Sequence, residues 1–295
     1  MAHVGVIGLG AMGAPMARNL LKGGHSVTVF ARRQESMAPL IRAGAVGAAS
    51  PADVAAKTDV IITMVIDTSA VEEVTLGPRG IIEGSKPGTI VVDHSTIDPD
   101  GARRVATVLK ARGIEMIDAP VSGGAAVAEA GGLSIMAGGD ESVFTRVRPL
   151  LECYGKTIVH MGPNGAGQVA KACNQICTIV NMLGAAEAML MAERAGIDPA
   201  KARDVLMTGF GASRMLEMQA PKMIARDFEG KVESRLHHKD IHIVLAMARK
   251  LGIELPASAA AAKVLTELQD RGGGKSDTAA IFSVLANPKS PVPNP

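Results

Sequence analysis

The sequence is poor in aromatic residues: of 295 residues, five are Phe, one is Tyr and none is Trp. A core built from it must rest on Ala, Val, Ile, Leu and Met, and the 16 methionines are read as adaptable core filling. There are few rings to stack on bases, and a net charge of only +2 is scattered among acids, so nothing points to nucleic acid. Cysteine is scarce too. Cys153, Cys173 and Cys177 form an odd, sparse set that fits a reducing, cytoplasmic setting. Cys173 and Cys177 lie four apart without His or Cys partners at zinc spacing. They are expected to be buried thiols, and no metal site is expected. Residues 1–10 read as a strand and a turn rather than a charged leader before an apolar segment. The stretch ICTIVNMLGAAEAMLMA is broken by Asn181 and Glu187, so no membrane span is expected.

Apolar residues make up 47% of the chain, enough to fill one large domain or two ordinary ones. The first half alternates short apolar runs with helical stretches. HVGVI, SVTVF, DVIITMV, GTIVVDHS, IEMIDAP, LSIMAGG and KTIVHMG read as strands. Helices are expected over 11–22, 35–43, from about 69, over 99–112 and over 141–153. Runs of four to seven apolar residues bounded by Gly, Asp or Pro suit strands buried on both faces. Their alternation with helices predicts a parallel, doubly wound α/β sheet of Rossmann type. After GPNGAG (Gly162–Gly167) no strand is evident. Helices are expected over 168–195, 199–207, 212–224, 234–251, 256–271 and 277–285, capped by Asp198 and Asp277 and stopped at Gly196, Gly252 and Gly272–Gly274. The expected domains are therefore 1–163, a Rossmann-type α/β domain, and 164–295, an all-helical domain. The Pro-rich tail NPKSPVPNP is read as frayed.

Gly8-x-Gly10-x-x-Gly13 follows a strand and opens a helix, the context in which a dinucleotide fingerprint is meaningful. Gly8 permits the tight turn, Gly10 lets the backbone approach a pyrophosphate, and Gly13 lets helix and strand pack closely. Leu9, Ala11 and Met12 complete the turn, whose free N–H groups and helix dipole favour phosphate. An acid at the end of the second strand would bind the ribose hydroxyls of NAD. That position is Ala31, followed by Arg32 and Arg33. A guanidinium suits a 2′-phosphate or stacks on adenine, so NADP(H) is preferred over NAD(H).

Three further motifs follow in order: DAPVSGG (Asp118–Gly124), GPNGAGQVAKACNQ (Gly162–Gln175) and HHKD, ending at Lys239-Asp240. Together with GLGAMGAPMARNL they make the chain resemble the β-hydroxyacid dehydrogenase family, from about Val4 to Leu285. The resemblance implies a Rossmann-like domain and a helical domain joined by a long helix, an active site in the cleft, and homodimers or homotetramers. It implies that Ser122, Gly123 and Gly124 hold the carboxylate of a small anionic substrate, a task that suits a hydroxyl and N–H groups at a Gly-rich turn. It makes Lys171 the catalytic acid or base. Asn174 or Gln175, on the same helical face, orients the substrate hydroxyl or carbonyl. The family pattern has Asn four residues after the lysine; here that place is Gln175, with Asn174 beside it. Lys239 is implied near the nicotinamide, with Met64, Val65 and Thr96 lining the same end. His94 is read as structural or peripheral.

The activity implied is reduction of a small semialdehyde or oxo acid to a hydroxy acid. 2-Hydroxy-3-oxopropionate and 3-hydroxyisobutyrate chemistry are the first two choices. In the family an aromatic residue often precedes the L-x-x-K-D segment by four positions; Val232 stands there instead. Were Arg214, Arg235 or His238 to face the cleft, a more anionic substrate such as an oxo-phosphonate would follow. A catalytically inactive NADP-binding interaction protein is the alternative of a different class, and the presence of Lys171 and Ser122 argues against it.

Overall fold

The computed structural model describes residues 2–230 and 232–287; the expected frayed tail lies outside them from residue 288 onward. The chain divides into two compact units, Met1–Lys171 and Ala172–Pro295. The division falls inside one helix, Ala166–Arg194.

The first unit is built on a nine-stranded sheet. Its strands are β1 (His3–Ile7), β2 (Ser26–Phe30), β3 (Val46–Gly47), β4 (Val60–Thr63), β5 (Ile90–Asp93), β6 (Glu115–Asp118), β7 (Val121–Ser122), β8 (Leu133–Gly138) and β9 (Gly155–Gly162). They lie in the order β3-β2-β1-β4-β5-β6-β8-β7, with β9 beside β8. Successive side chains of a strand face opposite sides, and both sides are apolar here. Val4, Val6, Ile62, Val92 and Ile117 enter one core with Met16 and Leu20. Ile7, Ile61, Val91 and Met116 enter the other with Val71, Ile81 and Leu109.

The expected parallel, doubly wound sheet is present, with an antiparallel departure at one end. From β3 to β6 every pairing is parallel, but β8 runs antiparallel to β6 and carries β9 parallel to itself. Hydrophobic periodicity reports burial and not direction, so LSIMAGG and KTIVHMG could not reveal the reversal. The short elements Val46–Gly47, Pro51–Ala55, Ile81–Gly84, Val121–Ser122 and Gly124–Glu129 were not anticipated, being too brief to show a period.

The second unit is helical, with helices Pro199–Leu206, Arg214–Ala225, Ser234–Leu251, Pro256–Asp270 and Ile281–Ala286 beside the rest of Ala166–Arg194. That helix buries Ile179, Met182, Leu183, Ala186 and Met189, the 3–4 spacing of one helical face, against Leu216, Met223, Ile241, Leu265 and Phe282. Its other edge corrects the expectation for cysteine: Cys173 and Cys177 are exposed, and Cys153 is half-buried. The helix is also long and apolar enough, at a mean hydropathy of 1.4, to cross a membrane by length and composition alone. Asn181 and Glu187 therefore do not break the run as expected. The apolarity serves the core face just described. Methionine fills the cores of both units, through Met16 and Met116 in the first and Met182, Met189 and Met223 in the second, whereas Met191 is 73% exposed.

Asp277 is fully buried and holds the end of this unit. Its Oδ2 pairs with Lys222 Nζ at 2.7 Å, and its Oδ1 accepts the Ala279 N–H at 3.0 Å. Truncating one partner of a buried pair strands the other. Asp277→Ala is expected to lower unfolding free energy by about 3 kcal/mol in urea titrations followed by circular dichroism; a loss below about 1 kcal/mol, the level of a surface pair, would contradict this role.

Candidate active site

The carboxyl ends of β1, β4, β5 and β6 lie on one edge of the first unit, where ligands of parallel α/β sheets bind. At the end of β1 the chain turns through Gly8, φ +93°, where a Cβ would lie 2.2 Å from Met64 O. At Gly13 a Cβ would lie 2.0 Å from Gly8 O, so helix Gly13–Lys22 packs on the turn only because that residue is glycine. A Cβ at Gly10 would meet nothing within 4 Å, which leaves room for a group in front of the backbone. Met12, the N-cap, offers no side-chain cap, in contrast to Asp67, Asp98, Asp140 and Asp198 on other helices. The helix start, with its partial positive charge, is thus open to a phosphate. Leu9 is buried, while Gly10 and Ala11 are exposed. Ala31 is half-buried beyond β2, and Arg32 and Arg33 after it are exposed. The glycine turn and the open helix start fit the pyrophosphate of a dinucleotide.

Met64 and Val65 follow β4. Met64 N donates to Ile7 O at 2.9 Å, and Val65 N donates to Ser95 Oγ at 2.9 Å. At the end of β5, Asp93 Oδ1 accepts from Thr63 Oγ1 at 2.8 Å and from Ser95 N at 3.2 Å. Thr96 is half-buried between Ser95 and Ile97. After β6, Ser122 closes β7 and Gly123 and Gly124 follow it; the two glycines have φ of +141° and +76°, which residues other than glycine rarely adopt.

Lys171 is the last residue of the first unit and is buried, only 8% exposed. Its Nζ donates to Val121 O at 2.8 Å, one residue before Ser122. The ammonium therefore stands at the Gly-rich loop expected to hold an anion. Two residues without an expected role bring it there. Asp118 Oδ1 accepts the Gly165 N–H at 2.7 Å and its Oδ2 accepts the Gln168 N–H at 3.1 Å, so one carboxylate ties down the helix start. Burial pushes the Asp118 carboxyl up to about 7, and those N–H groups oppose the rise. The Gln168 side chain reaches the Ser95–Ile97 segment. Both residues stood inside quoted motifs, but their partners lie 47 to 73 positions away in sequence.

His94 is structural, as expected, and wholly buried rather than peripheral. Its Nδ1 lies 2.5 Å from Ala119 O, and its Nε2 lies 2.8 Å from the Tyr154 hydroxyl. A carbonyl only accepts, so Nδ1 carries the proton and Tyr154 donates to Nε2. Burial lowers the His94 pKa to about 4, against the pull of Ala119 O.

The other expected residues belong to the second unit. Gln175 is buried and its Nε2 donates to Asp240 Oδ2 at 2.5 Å, while Lys239 Nζ pairs with Asp240 Oδ1 at 2.9 Å. Asn174, half-buried, donates to Gln175 Oε1 at 2.8 Å. Arg214 and Arg235 pair with Glu217 and Glu233, and His238 meets Thr266 and His242. Among the described residues no three His, Cys, Asp or Glu side chains gather to hold a metal ion.

Two family models match the chain: the NAD binding domain of 6-phosphogluconate dehydrogenase over residues 3–162, and the NAD-binding domain of NADP-dependent 3-hydroxyisobutyrate dehydrogenase over residues 165–285. The chain is 41% identical to 2-hydroxy-3-oxopropionate reductase of Escherichia coli, covering 96% of each protein. It is 37% identical to NAD-dependent L-serine dehydrogenase of Pseudomonas aeruginosa, covering 97% of each. The crystal structure of 3-hydroxyisobutyrate dehydrogenase from Salmonella typhimurium is similar at a TM-score of 0.90, with 33% identity over 96% of this chain and 100% of that one. The structure of Psf3 in complex with NADP+ and 2-OPP is similar at 0.87, with 30% identity over 96% of this chain and 99% of that one.

The depressed His94 pKa predicts an acid sensitivity. The folded value of about 4 lies below the ordinary 6.5. Its contribution to stability is therefore complete above 6.5 and is lost as pH falls toward 4. Between those limits the wild type should lose about 3 kcal/mol relative to His94→Gln, read as the pH dependence of the denaturant midpoint. Parallel pH curves for the two proteins would contradict a buried neutral imidazole.

Proposed function

The chain belongs to the β-hydroxyacid dehydrogenase family, and on that premise we propose that it is an NADP(H)-dependent reductase of a small semialdehyde or oxo acid. The first choice of substrate is 2-hydroxy-3-oxopropionate, the second the semialdehyde related to 3-hydroxyisobutyrate. The observation that carries the reading is the buried Lys171 ammonium, 2.8 Å from Val121 O and beside Ser122-Gly123-Gly124. Family membership leaves the nucleotide open, since relatives of similar identity include an NAD-dependent enzyme. The choice of NADP(H) rests on Arg32 and Arg33, exposed beyond β2 where an acid would bind the hydroxyls of NAD. Met64, Val65 and Thr96 flank the nicotinamide in this reading. Lys239 is assigned to the same end by resemblance alone. A small substrate is favoured over a more anionic one because Arg214 and Arg235 are each engaged by a neighbouring glutamate.

When bound, reduced nicotinamide supplies a hydride to the carbonyl carbon. Ser122 and the N–H groups of Gly123 and Gly124 hold the substrate carboxylate. As the C=O π bond breaks, negative charge grows on oxygen. Lys171 stabilises that charge and transfers one proton from Nζ, leaving a neutral amine and a hydroxy acid. In the reverse direction the neutral amine accepts the hydroxyl proton. Asn174 or Gln175 orients the substrate oxygen; the two amides are joined to each other, and Gln175 is joined in turn to Asp240. A cytoplasmic homodimer or homotetramer completes the proposal, by analogy with the family.

Lys171→Ala should keep NADPH affinity, read by the nucleotide's own fluorescence, and lower kcat by about 10³-fold or more. Turnover near the wild-type rate would remove Lys171 from the chemistry. A panel of tartronate semialdehyde, methylmalonate semialdehyde, succinate semialdehyde, glyoxylate and an oxo-phosphonate, run with both nucleotides, should favour NADPH by about tenfold or more in kcat/KM. Preference for NADH would overturn the assignment of Arg32 and Arg33, and silence across the panel would favour an inactive nucleotide-binding protein.

A further inference from the structure

The side chain of Gln168 is 1% exposed and lies in the first turn of helix Ala166–Arg194, three residues before Lys171. Its Nε2 donates to Ser95 O at 2.8 Å and its Oε1 accepts the Ile97 N–H at 3.0 Å. One amide thus holds the main chain on both sides of Thr96. A primary amide donates from one atom and accepts at another from the same end of a side chain while staying uncharged, and Asn is a methylene too short. Ser95 in turn fixes the end of β4, because its Oγ accepts the Val65 N–H.

The other end of Gln168 is equally constrained. Its main-chain N–H donates to Asp118 Oδ2. At the adjacent Gly167 a Cβ would lie 2.4 Å from both Asp118 O and Met136 O, so the helix start rests directly on β6 and β8 and cannot slide. Gln168 and Lys171 share a helix face. The loop assigned to the nicotinamide and the ammonium assigned to the substrate oxygen are therefore both referred to this one residue.

We propose that Gln168 is a positioning residue for hydride transfer, setting the Thr96 segment and Lys171 at a fixed separation. The inference rests on the reductase reading. A displacement of about 1 Å between reacting groups costs about 10²-fold in rate, so a bracket of this kind controls the chemical step without touching substrate. A residue that only stabilised the fold would lower the melting temperature and leave kcat per folded molecule unchanged.

The test uses the full chain and two variants. Gln168→Met removes both side-chain bonds, and Gln168→Glu keeps the acceptor for Ile97 while losing the donor to Ser95. Both are expected to bind NADPH within about threefold of wild type and to slow single-turnover hydride transfer by about 10²-fold, with a larger primary isotope effect on kcat from 4-deuterated NADPH. Hydrogen exchange supplies a readout without turnover. In the wild type, NADPH should slow exchange over both 94–98 and 166–171, and in Gln168→Met the protection of 166–171 should disappear. Hydride transfer at the wild-type rate in both folded variants, or NADPH protection of 166–171 that survives Gln168→Met, would overturn the proposal. A wild type that transfers no hydride to any panel substrate would instead refute the reductase reading, and the exchange measurement would still decide whether Gln168 couples the two segments.

Discussion

The Asp118 carboxylate, at the end of β6, grips the first turn of a 29-residue helix through two main-chain N–H groups. Much of the site depends on that grip. The first N–H groups of any helix lack partners within it, and the positive end of its dipole favours a carboxylate there. Here the partner comes from the central sheet instead of a neighbouring cap residue. The same contact therefore satisfies the helix and fixes its height on the strand edge. Lys171 lies on the second turn, and that height brings its ammonium to Val121 O. The carboxylate is buried, so the contact is not diluted by solvent, and desolvation opposes its ionisation.

Around that contact the first unit works by replacing side-chain bulk with backbone contact. Gly8 and Gly13 let the first turn and helix close on each other, and Gly167 lets the long helix meet two strands. The polar groups thus buried are not left to water. Thr63, Asp93, Ser95 and Gln168 form a continuous run of hydrogen bonds between successive strand ends. His94 and Tyr154 add a second brace to Ala119. With so few aromatics available, rigidity at this edge comes from bonded polar groups more than from large rings.

Much of this was legible in the sequence. The strand runs HVGVI and SVTVF coincide with β1 and β2, and the helix over 234–251 matches residue for residue. The glycine fingerprint was legible because its three positions have separate steric duties, each visible in the geometry. Lys171 stood out through the motif that carries the family resemblance. Other features were hidden for physical reasons. Strand direction in β8 has no signature in periodicity. Strands of two residues and helices of four to six are too short to show one. Exposure of Cys173 and Cys177 depends on which edge of an apolar helix faces the core, and such a helix carries little amphipathic signal. Asp118 and Gln168 read as ordinary polar residues until the chain brings the ends of β5 and β6 beside the helix start.

The most direct test of the account is a crystal structure of the protein with NADP+ and the hydroxy acid product, refined for the position of the Lys171 ammonium. The account predicts Nζ within about 3 Å of the product hydroxyl oxygen, with the carboxylate at Ser122-Gly123-Gly124. An ammonium turned toward solvent and away from that oxygen, with product and nucleotide both in place, would contradict it.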